Sequence, residues 1–463
     1  MAKNLSELRV SRRQLLKGAA AAGGVTLLAA CTSAAPPAAT QAPVAAGAKP
    51  YAGTTVKLLM TQIDYGTGLS ENLADLEQKT GIKGQVDMLA FQNLNQKADL
   101  ELSTASGAYD VLQMIYIRTG RWIGAGWAEP LDSYINDPNL TDKAQFDVPD
   151  FVSGAIAPFT VGGKIYAFPW LADCTIVGYR KDLLEKAGYS KFPETFDDLQ
   201  AAAAKIHTPD VAFFVTQNNM HWIYPNWMLS YGGKFFKNPP TDLTPMFNTP
   251  EAIKAADMFT TMCAKYGAPG CGSLEAAVAE TIMHQGKAAV YLDGTGNVQQ
   301  IIDTKRTQIA DKFAFTQTPK GPAGHFPQLA VHGFLMNPAG KNKKAAWEFI
   351  KWAVSKETML KMAMNYGHIA TTRSSVLNNA DVRKKYKWGD SDLTALEEGV
   401  MKQAGEGGYM AYRTVPSFPP VGDRLAQAIT SVISGQAKVN DAMKSLQTDV
   451  IGILQKEGVK INP

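Results

Sequence analysis

The sequence predicts an α/β protein made of two lobes. About 410 residues follow a spacer that ends near residue 52, and a chain of this length usually divides between two hydrophobic cores. Short apolar runs that suit buried strands alternate with segments whose apolar residues recur every three or four positions. This alternation is typical of strand–helix–strand units around a mostly parallel sheet.

The first of these units lie between residues 54 and 116. Residues 54–61 are a short apolar run that predicts a strand, and the helix predicted after it ends at Gly81. Residues 85–89 and 109–116 have the composition of two further strands. We therefore expect strand, helix and strand in this order along the first part of the chain.

A second α/β stretch begins near residues 175–179. Thr195 and Asp198 form a capping box, which predicts the start of a helix. Amphipathic helices are also predicted over residues 345–353 and from Asn440 onward. The sequence shows no internal repeat.

The first thirty residues predict an export signal. Basic residues precede an apolar, Ala-rich run over 18–30, which is too short to span a bilayer as a stable helix. Arg12 and Arg13 resemble the pair of a twin-arginine signal, although ordinary Sec export stays open. Residues 28–31 resemble a bacterial lipobox and predict lipid on Cys31. The alternative is a plain cleavable signal with an incidental cysteine.

Residues 31–52 are rich in Ala and Pro and predict a semi-extended tether. With lipid on Cys31, such a tether would hold the protein off a membrane. We therefore expect an exported protein, in a periplasm or on a cell surface, that contacts the membrane only through its anchor.

The net charge gives no support for a nucleic-acid partner. The chain is formally +4, but residues 1–30 contain five basic residues and one acidic residue, so the remainder is close to neutral. No basic run interleaved with aromatic residues occurs elsewhere in the sequence. We therefore predict no binding to nucleic acid.

Cysteine usage leaves one question open. Cys174, Cys263 and Cys271 lack the spacing of a zinc site, so neither a metal nor a cofactor is predicted. In an oxidising compartment Cys263 and Cys271 could pair across a short loop, or all three could be buried thiols.

Polar and aromatic residues follow two of the predicted strands directly. Asp64 and Tyr65 follow the first strand, and Tyr116 and Arg118 occupy the same end of a later one. Because open α/β sheets present ligands at the carboxyl ends of their strands, we expect these four side chains at a binding site.

Several stretches resemble the family 1 extracellular solute-binding proteins, which are the maltose-binding-like receptors of ABC transporters. The order and spacing of these stretches carry the resemblance, which covers nearly all of the chain after the tether. They are EQKTGI at 77–82, AYDV at 108–111, GWAEPLD at 126–132, GKIYAFPW at 163–170, GYRKDLL at 178–184 and QGKAAV at 285–290.

The resemblance implies a Venus-flytrap fold, in which two α/β lobes close on a ligand held in the cleft between them. It also implies three hinge crossings, near residues 167–174, 291–295 and 333–337. On this basis the first lobe comprises residues 53–170 and 293–333, and the second comprises 171–292 and 334–463.

Sugar sites combine carboxylates and amides with aromatic rings. The resemblance implies that Trp170 and Asp173 on the first crossing, and Asp293 on the second, bind ligand. For Asp173 the alternative is a hinge-capping role, since acids at strand ends often accept backbone N–H bonds. Trp222 and Tyr224 share one side if their segment is extended. We predict that both face the cleft, and a place in the core is the alternative.

Arg373 and His332 complete the predicted site. Arg373 follows a segment that resembles one lining the pocket in the family, and the alternative is a surface arginine paired with a neighbouring acid. His332 lies beside the third implied crossing, where a histidine usually serves as a hydrogen-bonded turn residue.

The second implied crossing reads LDGTG at 292–296, where many maltose-binding relatives carry an aromatic residue. Without that ring, we expect a small ligand bound through its hydroxyls, such as a monosaccharide, a disaccharide or a sugar alcohol. The predicted function is capture of this small carbohydrate for the permease subunits of an ABC importer, by a protein that we expect to be a monomer.

Two other classes of function stay open on the sequence. A glycosidase would need two carboxylates at a controlled separation, and Asp173 with Asp293 could supply them. However, the sequence has no GxSxG, HExxH, P-loop or dinucleotide-binding motif, so we predict that the chain is not an enzyme. The other class is a surface lipoprotein that binds a sensor protein, which the lipid tether fits equally well.

Overall fold

The computed structural model describes residues 49–461, apart from the side chain of Gln92. The predicted export signal, Cys31 and most of the tether lie outside these residues. In the part of the chain that is described, no helix has the length and apolar character that crossing a membrane requires.

Among the described residues, eight strands form one main sheet and three two-stranded ribbons lie outside it. The strands are β1 (Thr55–Thr61), β2 (Lys83–Leu89), β3 (Val111–Ile115), β4 (Thr160–Val161), β5 (Lys164–Ile165), β6 (Ala167–Arg180), β7 (Ala212–Val215), β8 (Phe236–Asn238), β9 (Asp242–Pro245), β10 (Ala288–Gly294), β11 (Phe313–Gln317), β12 (Leu329–Met336), β13 (Lys387–Trp388) and β14 (Ser391–Asp392).

Helices connect the strands and cover the sheet. They are α1 (Asp64–Glu71), α2 (Leu73–Thr80), α3 (Phe91–Thr104), α4 (Thr119–Gly124), α5 (Asp132–Asn136), α6 (Lys143–Phe146), α7 (Ser153–Ile156), α8 (Lys181–Lys186), α9 (Phe196–Ile206), α10 (Met220–Ile223), α11 (Pro225–Ser230), α12 (Pro250–Tyr266), α13 (Ala276–His284), α14 (Thr295–Val298), α15 (Lys343–Ala353), α16 (Lys356–Asn365), α17 (Ser374–Leu377), α18 (Ala380–Lys385), α19 (Leu393–Glu406), α20 (Met410–Arg413), α21 (Phe418–Ile433) and α22 (Val439–Lys456).

Local sequence signals produce several of these elements. Gly81 ends α2 in a left-handed conformation, with φ of 86°, which a residue without Cβ adopts at low cost. The hydroxyl of Thr195 accepts the N–H of Asp198 at 3.0 Å and so caps α9, as the capping box predicts. Helices α15 and α22 confirm the two amphipathic segments.

The first part of the sheet has the predicted parallel pairing. Strand β1 lies between β2 and β3 and runs parallel to both, with α1, α2 and α3 in the connections. Strand β12 joins the other edge of β3 in the antiparallel direction. This brings the carboxyl ends of β1, β2 and β3 to one edge of the sheet.

The long strand β6 belongs to both parts of the sheet. Its residues 167–174 pair with β12, and residues 175–180 pair with β10 and β11. Strand β10 pairs in parallel with β7. The sheet is therefore mixed, and not mostly parallel as predicted, because β6 runs antiparallel to all three of its partners.

The strand pairing corrects two of the implied hinge crossings. The chain does pass from the first part of the sheet to the second within β6. However, β10 and β11 both pair with the second part of β6, so no crossing occurs near 291–295. Strand β12 lies wholly against β3 and the first part of β6, so none occurs near 333–337. The chain instead returns between β11 and β12.

Helix α16 packs on α1, whereas α19 packs on β11 and also closely on α7. We propose that the first lobe comprises residues 53–172 and 329–373, and the second 175–328 and 393–461. This division differs from the one that the resemblance implied for the segments after residue 293. It is supported by the pairing of β11 with β6 and by the packing of α15 on β1, α2 and β12.

The three described cysteines are free and buried. Cys263 and Cys271 lie close enough for their thiols to hydrogen-bond, and burial raises the pKa of Cys263 well above its ordinary value. The structure therefore shows the buried-thiol alternative, with two of the thiols in contact.

Candidate functional site

A cleft of about 800 Å³ opens where the two parts of the sheet meet along β6. Most of the predicted site residues line it. They are Asp64, Tyr65, Tyr116, Asp173, Trp222, Asp293 and His332. Arg118, Trp170, Tyr224 and Arg373 lie elsewhere.

Strand β6, which passes between the lobes, and its partner β12 form the floor of the cleft. On β6, Leu171 and Asp173 face it, and on β12, Ala330 and His332 do so. These residues are direct cross-strand partners, since Asp173 pairs with Ala330 and Leu171 pairs with His332. Cross-strand partners share a face, so the pairing places the Asp173 carboxylate and the His332 imidazole on the same face as diagonal neighbours.

Hydrogen bonding fixes the tautomer of His332. The side-chain oxygen of Gln113 accepts the N–H of Thr61 at 3.1 Å, which leaves the Gln113 amide nitrogen to donate to Nδ1 of His332 at 2.6 Å. Nδ1 is therefore an acceptor, and the ring proton lies on Nε2. Because burial lowers the pKa of His332 to about 4, the ring is neutral at pH 7 and offers one N–H donor.

Asp173 has the capping role, which the sequence left open as the alternative to ligand binding. Its carboxylate accepts backbone N–H groups at the start of α14, including that of Gly296 at 3.0 Å, which is the capping role. No side chain among residues 49–461 donates to Asp173, so acceptor sites remain for a ligand in the cleft. Burial raises the pKa of Asp173 to about 6.

Asp293 is buried and differs from Asp173 in its partners. Its two oxygens accept bonds from Gln217 Nε2 (2.6 Å), the Tyr291 hydroxyl (2.6 Å), the Gly294 N–H (2.7 Å) and Asn297 Nδ2 (3.0 Å). Burial raises the pKa of Asp293 to about 6, although these four bonds oppose that shift. A carboxylate has about four acceptor sites, so this one is filled from within the protein.

Asp293 therefore orients other cleft residues. Gln217 and Asn297 both line the cleft and are held by this one carboxylate. Further amides and a histidine that the sequence prediction missed also line it. These are Asn218, Asn219, Gln300 and His368.

A sequence signal for these missed residues existed. Gln217, Asn218 and Asn219 follow β7, and Asn297 follows β10, with which β7 pairs in parallel. The strand-end rule that identified Asp64 and Tyr116 applies equally to this pair of strands.

The first lobe supplies one wall of the cleft. Asp64 is exposed at the start of α1, and Tyr65 beside it is buried and accepts the N–H of Ala370 at 3.3 Å. The ring of His368 lies 6.1 Å from that of Tyr65. Burial lowers the pKa of His368 to about 4, so this imidazole is also neutral at pH 7.

Trp170 lies in the core because side chains alternate between the two faces of a strand. Leu171 and Asp173 face the cleft, so Trp170, one residue before Leu171, faces the other side of β6. A bulge also falls at this point, since His332 pairs with Leu171 and the next residue, Gly333, pairs with Pro169. The indole stacks on Phe334 at 4.9 Å and does not line the cleft, so the prediction that it binds ligand is corrected.

Tyr224 and Arg118 point away because their segments are helical. Trp222 lies in α10, and residues two apart on a helix face different sides, so Tyr224 turns inward and donates to the carbonyl of Ala252 at 3.2 Å. Residues Tyr116–Arg118 form a 3₁₀ turn. Arg118 therefore leaves the cleft that Tyr116 faces and lies 3.4 Å from Asp99.

Arg373 is a structural residue of the first lobe. It is 1% exposed, pairs with Asp150 at 3.1 Å and donates to the carbonyl of Val354 at 2.7 Å. Its guanidinium also lies 3.9 Å from the ring of Phe151. The alternative, a surface arginine paired with a neighbouring acid, is thus correct about the acidic partner. It is wrong about the surface position, because the pair is buried.

The chemistry of the cleft is that of hydrogen bonding. It presents carboxylates, amides and neutral imidazoles beside the rings of Tyr116 and Trp222. Among the residues that the structure describes, no three His, Cys, Asp or Glu side chains converge as they would around a metal ion.

Comparison with known proteins agrees with this geometry. The profile of a family described as bacterial extracellular solute-binding protein matches residues 61–360. The erythritol/L-threitol-binding protein of Mycolicibacterium smegmatis is 24% identical over 345 residues, which cover 71% of this chain and 72% of that protein. The mannitol-binding protein of Pseudomonas aeruginosa is 23% identical over 390 residues, which cover 79% and 85%.

A solved structure shows the same fold. The solute-binding protein of an ABC transporter from Agrobacterium radiobacter, in complex with ribitol, superposes with a TM-score of 0.74 at 24% identity. The superposition covers 87% of this chain and 99% of that one. Fold and cleft together thus define a two-lobed binding protein.

The chain belongs to the bacterial extracellular solute-binding protein family. This membership confirms the family resemblance and, with the structural likeness, the Venus-flytrap fold. Because the family consists of exported binding proteins, it also confirms the predictions of an exported protein and of a binding protein instead of an enzyme.

Proposed function

We propose that the protein captures a small, neutral polyol, either a sugar alcohol or a small sugar, for the permease subunits of an ABC importer. The observation that carries the proposal is the cleft floor. There Asp173 on β6, the strand that passes between the lobes, offers acceptor sites, and His332 on the adjacent strand β12 offers an Nε2–H donor. A hydroxyl both donates and accepts, so a chain of hydroxyls matches such a row of mixed groups.

The charge of the cleft supports a neutral ligand. None of the lining residues within the described ranges is Lys or Arg. Burial lowers the pKa values of His221, His332 and His368 to about 4, so these rings carry no charge at pH 7. Asp64 and Asp423 are exposed carboxyl groups in the same cleft. Sugar phosphates and sugar acids would therefore meet a site without a compensating cation.

The relatives support a ligand of this size. The two curated relatives are named for erythritol, L-threitol and mannitol, and the superposed structure holds ribitol. These compounds are linear polyols of four to six carbons, which present hydroxyls on every carbon and no extended apolar face. They fit a site that has many amides and few exposed aromatic rings.

A thermal-shift panel on the purified chain tests the proposal. The panel comprises erythritol, L-threitol, ribitol, D-mannitol and maltose, with gluconate and glucose 6-phosphate as anionic controls. A ligand at a hundred times its Kd stabilises the folded state by about 2.7 kcal/mol. For about 410 residues, that corresponds to a rise in Tm of about 3 °C. We expect a saturable rise with at least one neutral polyol and none with the anions. Stabilisation by the anions alone, or by no compound, would contradict the proposal.

We also propose that the protein is a monomeric lipoprotein, anchored through Cys31 after export by the twin-arginine route. The supporting features are the Arg12–Arg13 pair, the lipobox-like residues 28–31 and the Ala- and Pro-rich tether, all in the sequence. In cells, Cys31→Ser should release the protein from membranes, and Arg12→Lys with Arg13→Lys should stop export. Continued membrane attachment of the Cys31→Ser protein would contradict the anchor.

A further inference from the structure

A buried cation lies directly behind the cleft. Arg413, in α20, is 0% exposed, and none of the carboxylates among residues 49–461 forms an ion pair with it. An arginine that is buried without an acid is costly unless hydrogen bonds and aromatic rings compensate its charge. Its contacts therefore identify what holds this charge in place.

The guanidinium uses four of its donor positions. Nε donates to the Tyr412 hydroxyl at 2.8 Å, and Nη1 donates to the Tyr116 hydroxyl at 2.5 Å. Nη2 donates to Oε1 of Gln328 at 2.8 Å and to the carbonyl of His221 at 3.1 Å. The Tyr412 hydroxyl in turn donates to Gln328 at 2.7 Å, which closes a triangle of hydrogen bonds.

Aromatic rings enclose the same group. The guanidinium carbon lies 5.7 Å from the ring of Tyr116, 5.6 Å from Trp222, 5.3 Å from Tyr412 and 5.5 Å from Phe418. Rings at such distances attract a desolvated cation. Two of these rings, those of Tyr116 and Trp222, also line the cleft.

These contacts come from both lobes and from the hinge. Tyr116 follows β3 of the first lobe, whereas His221 and Trp222 lie in α10 of the second. Gln328 precedes β12 and forms two hydrogen bonds with Thr175 of β6. The N–H of Thr175 donates to the carbonyl of Gln328 at 2.9 Å, and the N–H of Gln328 donates to the hydroxyl of Thr175 at 2.8 Å. Arg413 thus touches one aromatic wall from each lobe and, through Gln328, the strand that crosses between them.

We propose that Arg413 is a positioning residue that locks Tyr116 and Trp222 to the hinge, so that both walls of the cleft are preorganised for ligand. The inference rests on the proposed function of this cleft as a ligand site. A lysine cannot replace the guanidinium here, because its three donors and single point charge cannot reach four acceptors set around a planar fork. If the arginine served only to stabilise the core, its loss would lower stability without changing the affinity of the folded protein.

Fluorescence of the ligand-free protein tests the positioning directly. Arg413→Lys should change acrylamide quenching of tryptophan emission relative to the wild type, and the change should vanish in a Trp222→Phe background. Arg424→Lys is the matched control, because Arg424 lies in α21 and pairs with Asp449 outside the cleft. This readout requires no ligand, so it decides the inference even if the proposed function fails. Quenching in Arg413→Lys that equals the wild type would overturn the inference.

Affinity provides the second test, with ribitol and D-mannitol as probes in calorimetry. Arg413→Lys and Tyr116→Phe should each weaken binding about tenfold or more, since each breaks a charge-assisted hydrogen bond that positions a wall. The double variant should bind about as weakly as either single variant, because both remove the same link. Affinities equal to the wild type, or losses that simply add, would overturn the inference. If Arg413→Lys does not fold, Tyr412→Phe decides by the same criterion, because Tyr412 contacts Arg413 and Gln328 but does not line the cleft.

Discussion

Asp173 and Asp293 should respond in opposite ways to removal of their carboxyl groups. Both were expected to bind ligand, but the structure gives Asp293 four internal donors and gives Asp173 only backbone N–H groups at one side. Asp293→Ala should therefore mainly lower the free energy of unfolding, with a smaller effect on affinity. Asp173→Ala should mainly cost affinity, with a smaller fall in stability because the backbone N–H groups that it caps lose an acceptor.

The loss of stability expected for Asp293→Ala follows from the four groups that donate hydrogen bonds to its carboxylate. Gln217 and Asn297 line the cleft and can turn to water, but the Tyr291 hydroxyl and the Gly294 N–H are buried and would stay unpaired. An unsatisfied buried donor costs about 1–3 kcal/mol, so the loss is about 3 kcal/mol for the two. Unfolding entropy near 2.1 cal/mol/K per residue gives about 0.9 kcal/mol/K for about 410 residues, and hence a fall in Tm of about 3 °C.

The pH of the measurement matters for this variant. Burial raises the folded-state pKa of Asp293 to about 6, above the ordinary value of 3.8. The stabilising contribution of this carboxyl is therefore complete below about pH 4 and is lost as the pH rises through 6. At pH 8 the substitution also removes a buried charge, which offsets part of the loss, so the fall in Tm should be larger at pH 5 than at pH 8.

Calorimetric melting with and without ribitol or D-mannitol is the assay, and Asp441→Ala, at an exposed position of α22, is the control. Asp173→Ala should lower Tm by only about 1 °C, since loss of a capping acceptor costs about 1 kcal/mol. It should also lose most of the shift that the polyol produces, since a charged hydrogen bond to ligand contributes about tenfold or more in affinity. An equal fall in Tm for both variants, or full ligand response in Asp173→Ala, would refute the reasoning.

Three further predictions concern residues beside the cleft. Trp170→Ala should lower the free energy of unfolding by about 3–5 kcal/mol in denaturant titrations, because it removes a buried ring stacked on Phe334. Calorimetric affinity for polyol should stay within about threefold, and selective loss of binding would restore its predicted ligand role. Arg373→Met should cost about 3 kcal/mol in the same titrations, because it leaves Asp150 charged and largely buried; an unchanged midpoint would show that the pair is dispensable. Burial lowers the folded-state pKa of His332 to about 4, below the ordinary 6.5, so its contribution is present above pH 6.5 and lost as the pH falls toward 4. His332→Gln should therefore reduce the fall in Tm between pH 7 and pH 4.5, and an unchanged pH profile would contradict this.

The fold could be predicted where local sequence determines it. The strand near residues 54–61, the stop at Gly81 and the cap at Thr195 all depend on neighbouring residues, and the structure has each of them. The course of β6 could not be predicted in this way. Its pairing with β12 joins residues about 160 positions apart, and no local pattern encodes which partner a strand receives.

The site shows the same division between local and long-range information. The strand-end rule placed Asp64, Tyr65 and Tyr116 correctly on the cleft, because it depends only on where a strand ends. A local rule also excludes Trp170, since it lies three residues from Asp173 on one strand and alternation turns the two side chains to opposite faces. Arg413 carried no sequence signal, because all its hydrogen-bond partners except the adjacent Tyr412 come from three distant segments of the chain.

The position of Asp173 explains how a small ligand could close a large protein. Asp173 and Cys174 are the last residues of β6 that pair with β12, and Thr175 is the first that pairs with β10. A ligand that binds Asp173 therefore lies at the point where the chain leaves one lobe for the other. To shift an open–closed equilibrium from about 1:99 to 99:1, a ligand must bind the closed form more tightly by about 5.5 kcal/mol. Three or four hydrogen bonds to both lobes can provide this difference, but only from a place that both lobes reach. Under the proposed function, a polyol bound at Asp173 would lie at such a place, because β6 passes between the lobes there.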